Sequence, residues 1–229
     1  MVDITREQAE KIVSQQGWLS HMPQPFRDKL FQHAMLIRMP PNHTVFRHGD
    51  PVGGIYGLVA GCVTVNLAPA NATPCLVHLG LPGAWTGEGC FLTGQPRRVE
   101  LKTLTETHAF HLPLDIMQKL SHEDYNIVRA FGAISIFSTD VLIHIIHDLQ
   151  KRNPAKRIAS VLRRIVPDEN TSVILSQAEI ATMTNTSRQQ VNVALKKFAD
   201  AGWIEYSYRS ISFLNLPQLA KFSTDGADD

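Results

Sequence analysis

Leu175-Ser-Gln-Ala-Glu-Ile-Ala181, followed by Thr186-Ser-Arg-Gln-Gln-Val-Asn-Val-Ala-Leu195 and Gly202-Trp-Ile204, is the stretch whose reading decides the fold. Ser176 with Glu179 has the form of a capping box, in which the hydroxyl serves a free helical N–H and the carboxylate reaches back to the cap. The box predicts a short helix running through Ile180 and Ala181 to about Thr184. Thr186 with Gln189 predicts a second box, opening a longer helix with Val191, Ala194, Leu195 and Phe198 on its apolar side. Two capped helices separated by a few residues form the helix-turn-helix pattern, whose second helix presents its first turns to the major groove. Gly202 ends that helix, and Ile204 to Leu214 alternates around Tyr208-Arg-Ser210 as a hairpin, which makes the unit winged. The exposed start of the second helix carries Ser187, Arg188, Gln189, Gln190 and Asn192, which can bond base edges or phosphates. Val193 can pack on a base methyl, and Arg209 in the hairpin is a candidate phosphate contact. The competing reading is an ordinary helical hairpin inside a core.

The charge distribution supports the DNA reading. The chain has 229 residues with 22 Lys plus Arg against 21 Asp plus Glu. Basic and acidic side chains balance at 13 each over residues 1–152, while residues 153–222 hold 9 basic against 5 acidic. A neutral body with a basic C-terminal piece points to nucleic-acid contact at that end. With 44% apolar and 19% charged residues the chain is of ordinary globular composition, long enough for two modest domains.

Upstream, Glu123 to Lys151 reads as one long helix so apolar that its own domain covers only part of it. The same helix of a second subunit is the expected cover, and a central helix of a monomeric core is the alternative. Arg129, Asp140, His144, His147 and Asp148 interrupt it, so it is not expected to span a membrane. Asn153-Pro154 then marks a boundary, cap followed by first helical position. Between about Met39 and Pro113 short apolar runs alternate with turn residues, the pattern of an antiparallel sandwich or barrel. Before them, Thr5 with Gln8 opens one short helix, and Phe26, Leu30, Phe31 and Ala34 mark another. The expected division is 1–122, 123–152, 153–222 and an acidic tail 223–229. Cys62, Cys75 and Cys90 form no zinc spacing and no even set, which fits a reducing cytoplasm, and the N-terminus has no signal-peptide pattern. No nucleophile elbow, phosphate loop, dinucleotide fingerprint or HExxH motif occurs, so neither catalytic residues nor a metal site is expected.

The Leu175–Ala181, Thr186–Val191, Leu195 and Gly202–Ile204 motifs resemble the winged helix of the superfamily of the cyclic-AMP receptor protein and the fumarate-nitrate regulator. The resemblance covers nearly the whole chain. It implies an α+β protein with an N-terminal β jelly roll of the cyclic-nucleotide-binding type, a long dimerisation helix and a C-terminal winged helix-turn-helix. It further implies a homodimeric, cytoplasmic, bacterial-type transcription regulator that binds double-stranded DNA at a pseudo-palindromic site and contacts RNA polymerase. Pro82 to Glu88 and Gly94 to Arg97 are similar to the family's phosphate-binding cassette. By that likeness Gly87 and Glu88 would hold a ribose hydroxyl and Arg97 a cyclic phosphate.

Two departures weaken the likeness: Arg98 replaces a small hydroxyl residue, and Leu142 and Ile143 replace hydroxyl residues that face adenine, with Ser138 and Thr139 one turn earlier. Cyclic AMP, another anion at Gly87, Glu88, Arg97 and Arg98, or a structural Glu88–Arg97 ion pair all remain open. No cysteine precedes Cys62, which argues against an iron-sulfur cluster of the family's kind. The alternative function is a small-molecule or redox sensor, with Cys90 as thiol or His78, Cys90, His144 and His147 as haem ligands, whose helix pair mediates protein contacts.

Overall fold

The computed structural model describes residues 4–67, 74–166, 172–207 and 209–224. The chain divides into two compact units, Met1–Pro74 with Leu79–Val141, and Cys75–His78 with Leu142–Asp229.

The first unit opens with helices α1 (Arg6–Gln15) and α2 (Gln24–His33), joined through a 3₁₀ turn at Trp18–His21. The Thr5–Gln8 capping box forms at the start of α1, as its sequence predicts. Strands follow as β1 (Met35–Met39), β2 (Thr44–Phe46), β3 (Ile55–Ala60), β4 (Val63–Leu67), β5 (Cys75–Gly80) and β6 (Trp85–Thr86). A short helix α3 (Glu88–Thr93) precedes β7 (Glu100–Thr103) and β8 (Thr107–Leu112). The strands make two four-stranded sheets, ordered β1-β8-β3-β6 and β2-β7-β4-β5. In β3 the pleat sends Ile55 and Val59 into one core and Leu58 into another, so the strand is buried on both faces. Leu58 joins Phe46, Val63 and Leu101 between the sheets. Ile55 and Val59 join Phe110, Leu112 and the helices around Trp18, whose indole N–H donates to the Ala130 carbonyl, 112 residues away, at 2.7 Å.

Helix α4 (Leu114–Glu123) and the first part of α5 (Tyr125–Gln150) close this unit, and after Val141 α5 belongs to the second unit. The sequence predicts a single helix from Glu123 to Lys151, whereas the structure has α4 before it and starts α5 at Tyr125. The two are separate because Asp124 leaves helical backbone geometry (φ −148°) and its carboxylate accepts from Asn126 N at 2.9 Å, capping the next helix. Ile127, Phe131 and Ile134 recur at helical spacing and are buried. Further on the apolar residues face out: Ile136 is 64% exposed, Ile143 and Ile146 57% each, and Leu142 50%. The helix is long and apolar enough, by length and composition alone, to cross a membrane. Arg129, Asp140 and Asp148 nevertheless charge it. Asp148 is buried and accepts from Ser160 Oγ and from Arg164 Nε, the latter at 2.8 Å.

The second unit continues with α6 (Pro154–Arg164), where Asn153 Oδ1 accepts from Ala155 N and Lys156 N and Pro154 takes the first helical position as expected. Then come β9 (Ser172–Val173), α7 (Gln177–Thr184), α8 (Arg188–Asp200), β10 (Ile204–Ser207), β11 (Ser210–Phe213) and α9 (Leu216–Thr224). The predicted hairpin is β10–β11, with Ser207 opposite Ser210, and β9 adds a third strand on β11. Helix α9 was missed: Phe222 lies 5.6 Å from both Phe198 and Trp203, ring to ring, which draws Ser223 and Thr224 out of the expected tail and into the helix. The remainder of that tail (225–229), the loops at Asn71 and Pro167 to Asn170, and Tyr208 lie outside the described residues.

Candidate functional site

The caps and the turn of the helix pair are set by contacts that reach no more than five residues along the chain. Ser176 Oγ accepts from Glu179 N at 3.2 Å while Glu179 Oε2 accepts from Ser176 N at 2.7 Å, fixing the start of α7. Its end is fixed by Asn185, a short polar residue in the left-handed region (φ +48°). Thr186 N then donates to Ala181 O at 3.0 Å, closing the turn.

The second capping box corrects the sequence reading by one residue. Ser187, not Thr186, is the cap of α8: Ser187 Oγ accepts from Gln190 N at 3.1 Å, and Gln190 Oε1 accepts from Ser187 N at 2.9 Å. Both Thr186–Gln189 and Ser187–Gln190 satisfy the motif, and the Thr184–Thr186 hydroxyl contact at 2.8 Å favours the later frame by engaging Thr186 in the turn. Val191, Ala194, Leu195 and Phe198 then face the core, as predicted. Arg188, Gln189, Asn192, Val193 and Lys196 are exposed, Val193 at 65%. Lys196 was not among the predicted residues, although its helical spacing from Asn192 could have found it. Arg209 in the wing turn adopts φ +60° and its guanidinium stands 3.8 Å from Glu179.

The second site lies in the β-domain and depends on residues far apart in sequence. Gly87, at φ +105°, precedes α3; a Cβ there would come within 2.7 Å of Arg97 Nη1 and of the Gly54 carbonyl. Glu88, the first residue of α3, is buried and its Oε1 accepts from Ser135 Oγ of α5 at 3.0 Å. Arg97 is also buried; Nη1 donates to the Gly87 carbonyl at 3.0 Å, Nη2 to the Gly54 carbonyl at 2.7 Å, and the guanidinium lies 4.3 Å from the Phe46 ring centroid. The structural ion pair between Glu88 and Arg97 does not form, and among the described residues no carboxylate stands within ion-pair distance of Arg97. Tyr56 and His111 stack beside it at 4.5 Å. Burial, then the Arg97 charge, push the His111 pKa down; burial raises that of Tyr56 against the opposing pull of Arg97. Gly54, Phe46, Ser135, Tyr56 and His111 carry no motif and were missed. Arg98 is exposed and so does not share the environment of Arg97. Thr139 is exposed and donates its hydroxyl to Ser135 O, and Leu142 and Ile143 are exposed.

The groups weighed for redox or haem chemistry are dispersed. Cys90 is buried, and burial pushes the Cys62 thiol up to about 12, far from thiolate reactivity. His78 has a pKa of about 4, lowered by burial and by Arg164, whose Nη1 donates to Nδ1 at 2.9 Å, while His144 and His147 are exposed. Among the described residues no three His, Cys, Asp or Glu side chains gather as a metal site.

An effector-type β-domain followed by a winged helix-turn-helix defines a DNA-binding transcription regulator of two modules. Residues 36–124 match the cyclic nucleotide-binding domain and residues 156–222 the Crp-like helix-turn-helix domain, and the chain belongs to the superfamily of the cyclic-AMP receptor protein and the fumarate-nitrate regulator. It is 24% identical over 193 residues to the CRP-like cAMP-activated global transcriptional regulator of Mycobacterium tuberculosis, covering 81% of this chain and 86% of that one. Among solved structures it resembles FixK2 of Bradyrhizobium japonicum (TM-score 0.70, 17% identity, 85% of this chain and 99% of that one). It also resembles the c-di-GMP responsive global regulator CLP of Xanthomonas campestris (TM-score 0.66, 20% identity, 84% and 99%).

Proposed function

We propose that the protein works as a cytoplasmic homodimer that grips a two-fold DNA site, contacts RNA polymerase and responds to an anionic effector. The observation that carries this reading is helix α8, capped at Ser187 and presenting Arg188, Gln189, Asn192, Val193 and Lys196 together on an exposed face. In this reading Arg188, Gln189, Asn192 and Val193 meet base edges, while Ser187, Lys196 and Arg209 meet phosphates. The helix N-terminus adds its own attraction for an anion.

The exposed run Ile136, Leu142, Ile143, Ile146 and Leu149 on α5 supports pairing with the same helix of a second copy, the role assigned to segment 123–152. Such a pair sets the two reading helices on half-sites about 34 Å apart. Ile146, 57% exposed within this run, is the sharpest probe. Ile146→Asp turns the dimer into monomer at micromolar concentration in the ultracentrifuge and abolishes salt-dependent DNA retention while the β-domain stays folded; an unmodified protein that sediments as monomer overturns the dimer.

Arg97, a buried cation with carbonyl partners and, among the described residues, no carboxylate, supports an anion-accepting role for Gly87, Glu88 and Arg97, with exposed Arg98 adding positive field. A phosphate there exchanges neutral acceptors for a charged one. One relative is described as cAMP-activated and another as c-di-GMP responsive, so calorimetry with cyclic AMP, cyclic GMP and cyclic di-GMP is the test. Heat from one of them, lost in Arg97→Met, supports the role. Silence from all three with DNA binding intact removes the nucleotide assignment.

A further inference from the structure

The exposed face of α8 limits which bases it can reward. Gln190 is withdrawn from readout, because its side-chain oxygen is held by Ser187 N in the cap. The remaining exposed residues of the first two turns are Arg188, Gln189, Asn192 and Val193. Five residues of helix rise about 7.5 Å, and a base-pair step is about 3.4 Å, so Arg188 to Val193 spans roughly three successive base pairs.

Each side chain has a defined partner chemistry in the major groove. A guanidinium donates twice to guanine O6 and N7, and an Asn or Gln amide both donates and accepts, matching adenine N6 and N7. Val193, 65% exposed, offers only methyl groups, which fit the thymine C5-methyl. Acidic residues are absent from the start of α8, the first being Asp200 in its last turn, so a carboxylate acceptor for cytosine N4 is missing from this face.

We infer that each half-site carries one guanine met by Arg188 within a run of A·T pairs, with adenine opposite Gln189 and Asn192 and a thymine methyl against Val193. The inference rests on the proposed placement of α8 in the groove and names the bases that this placement selects. Glu179, being tied to Ser176 N and standing 3.8 Å from Arg209, belongs to the frame of the helix pair and takes no part in readout.

The test is selection from random duplex DNA by the full-length protein at low salt, with and without cyclic AMP, repeated with Arg188→Ala and Gln189→Glu. Neither residue lies in the core or the capping box, so both variants keep the fold. The unmodified protein returns an A·T-rich half-site with one guanine. Arg188→Ala lowers the guanine preference about tenfold or more, and Gln189→Glu changes the preferred base at one position from adenine to cytosine by a similar factor. Half-sites dominated by G·C pairs, or a Gln189→Glu protein with unchanged preferences, overturn the base assignment while leaving DNA binding intact. Retention of no DNA under any condition overturns the groove placement itself.

Discussion

Arg188 and Arg97 carry the same guanidinium in opposite settings. Arg188 stands exposed at the first position of α8, held there by a capping box four residues long. Arg97 is 6% exposed, and its donors go to two backbone carbonyls, one of them 43 residues away. The contrast shows two ways of building a site. A surface that meets a polymer can be set by local caps and helical phase alone. A buried guanidinium needs distant segments to converge, so Gly54 and Gly87 must both be in place before Arg97 has a defined position.

If that contrast holds, changes to long-range contacts cost more than changes to local ones. The largest effect is expected in the second unit at Asp148, whose carboxylate joins Ser160 and Arg164. Asp148→Ala leaves Arg164, whose side chain is only 13% exposed, without its carboxylate and with its Nη2 already lacking a partner, and lowers stability by about 3 kcal/mol in urea titration. Gly87→Ala comes next: strained backbone at φ +105° and a Cβ within 2.7 Å of Arg97 Nη1 cost about 2–3 kcal/mol, and the same variant loses any effector heat. His78 gives a pH test of a long-range contact. Its folded pKa of about 4 lies below the ordinary 6.5, so the unfolded chain binds the extra proton first. The stabilisation is complete above about pH 6.5 and is lost as pH falls toward 4, amounting to about 2 kcal/mol between pH 7 and pH 5 in matched urea titrations. His78→Gln removes that part of the decline. The smallest effect is local: Ser187→Ala breaks one capping box and costs about 1 kcal/mol, with a measurable loss of DNA affinity. A Ser187→Ala penalty larger than that of Gly87→Ala would break the contrast.

The same distinction explains what could be read from the chain. The helix pair was legible because each capping box lies within four residues and the apolar period fixes the buried face. Its one error, the frame of the second box, arose where two overlapping Ser/Thr-x-x-Gln patterns compete and a hydroxyl contact at Thr184 decides. The exposed apolar run on α5 was legible from composition, but its start was not, because Asp124 breaks the helix without any proline or glycine. In the β-domain, resemblance pointed to Gly87, Glu88 and Arg97 but not to the residues that touch them. Glu88 meets Ser135 at a separation of 47 residues, and Arg97 meets Gly54 at 43, and no spacing rule connects residues so far apart.

The Trp18–Ala130 hydrogen bond has a consequence during synthesis. A ribosome adds about 5–20 residues per second. The indole N–H must therefore wait about 6–20 s for an acceptor that is 112 residues downstream. Through most of that interval Trp18 and Phe26 have been made, and Trp85 joins them part-way, while Phe131, which will pack on the first two, is still missing. The nascent first unit thus exposes aromatic surface until α5 is made, and slower elongation between residues 112 and 130 would lengthen that exposure.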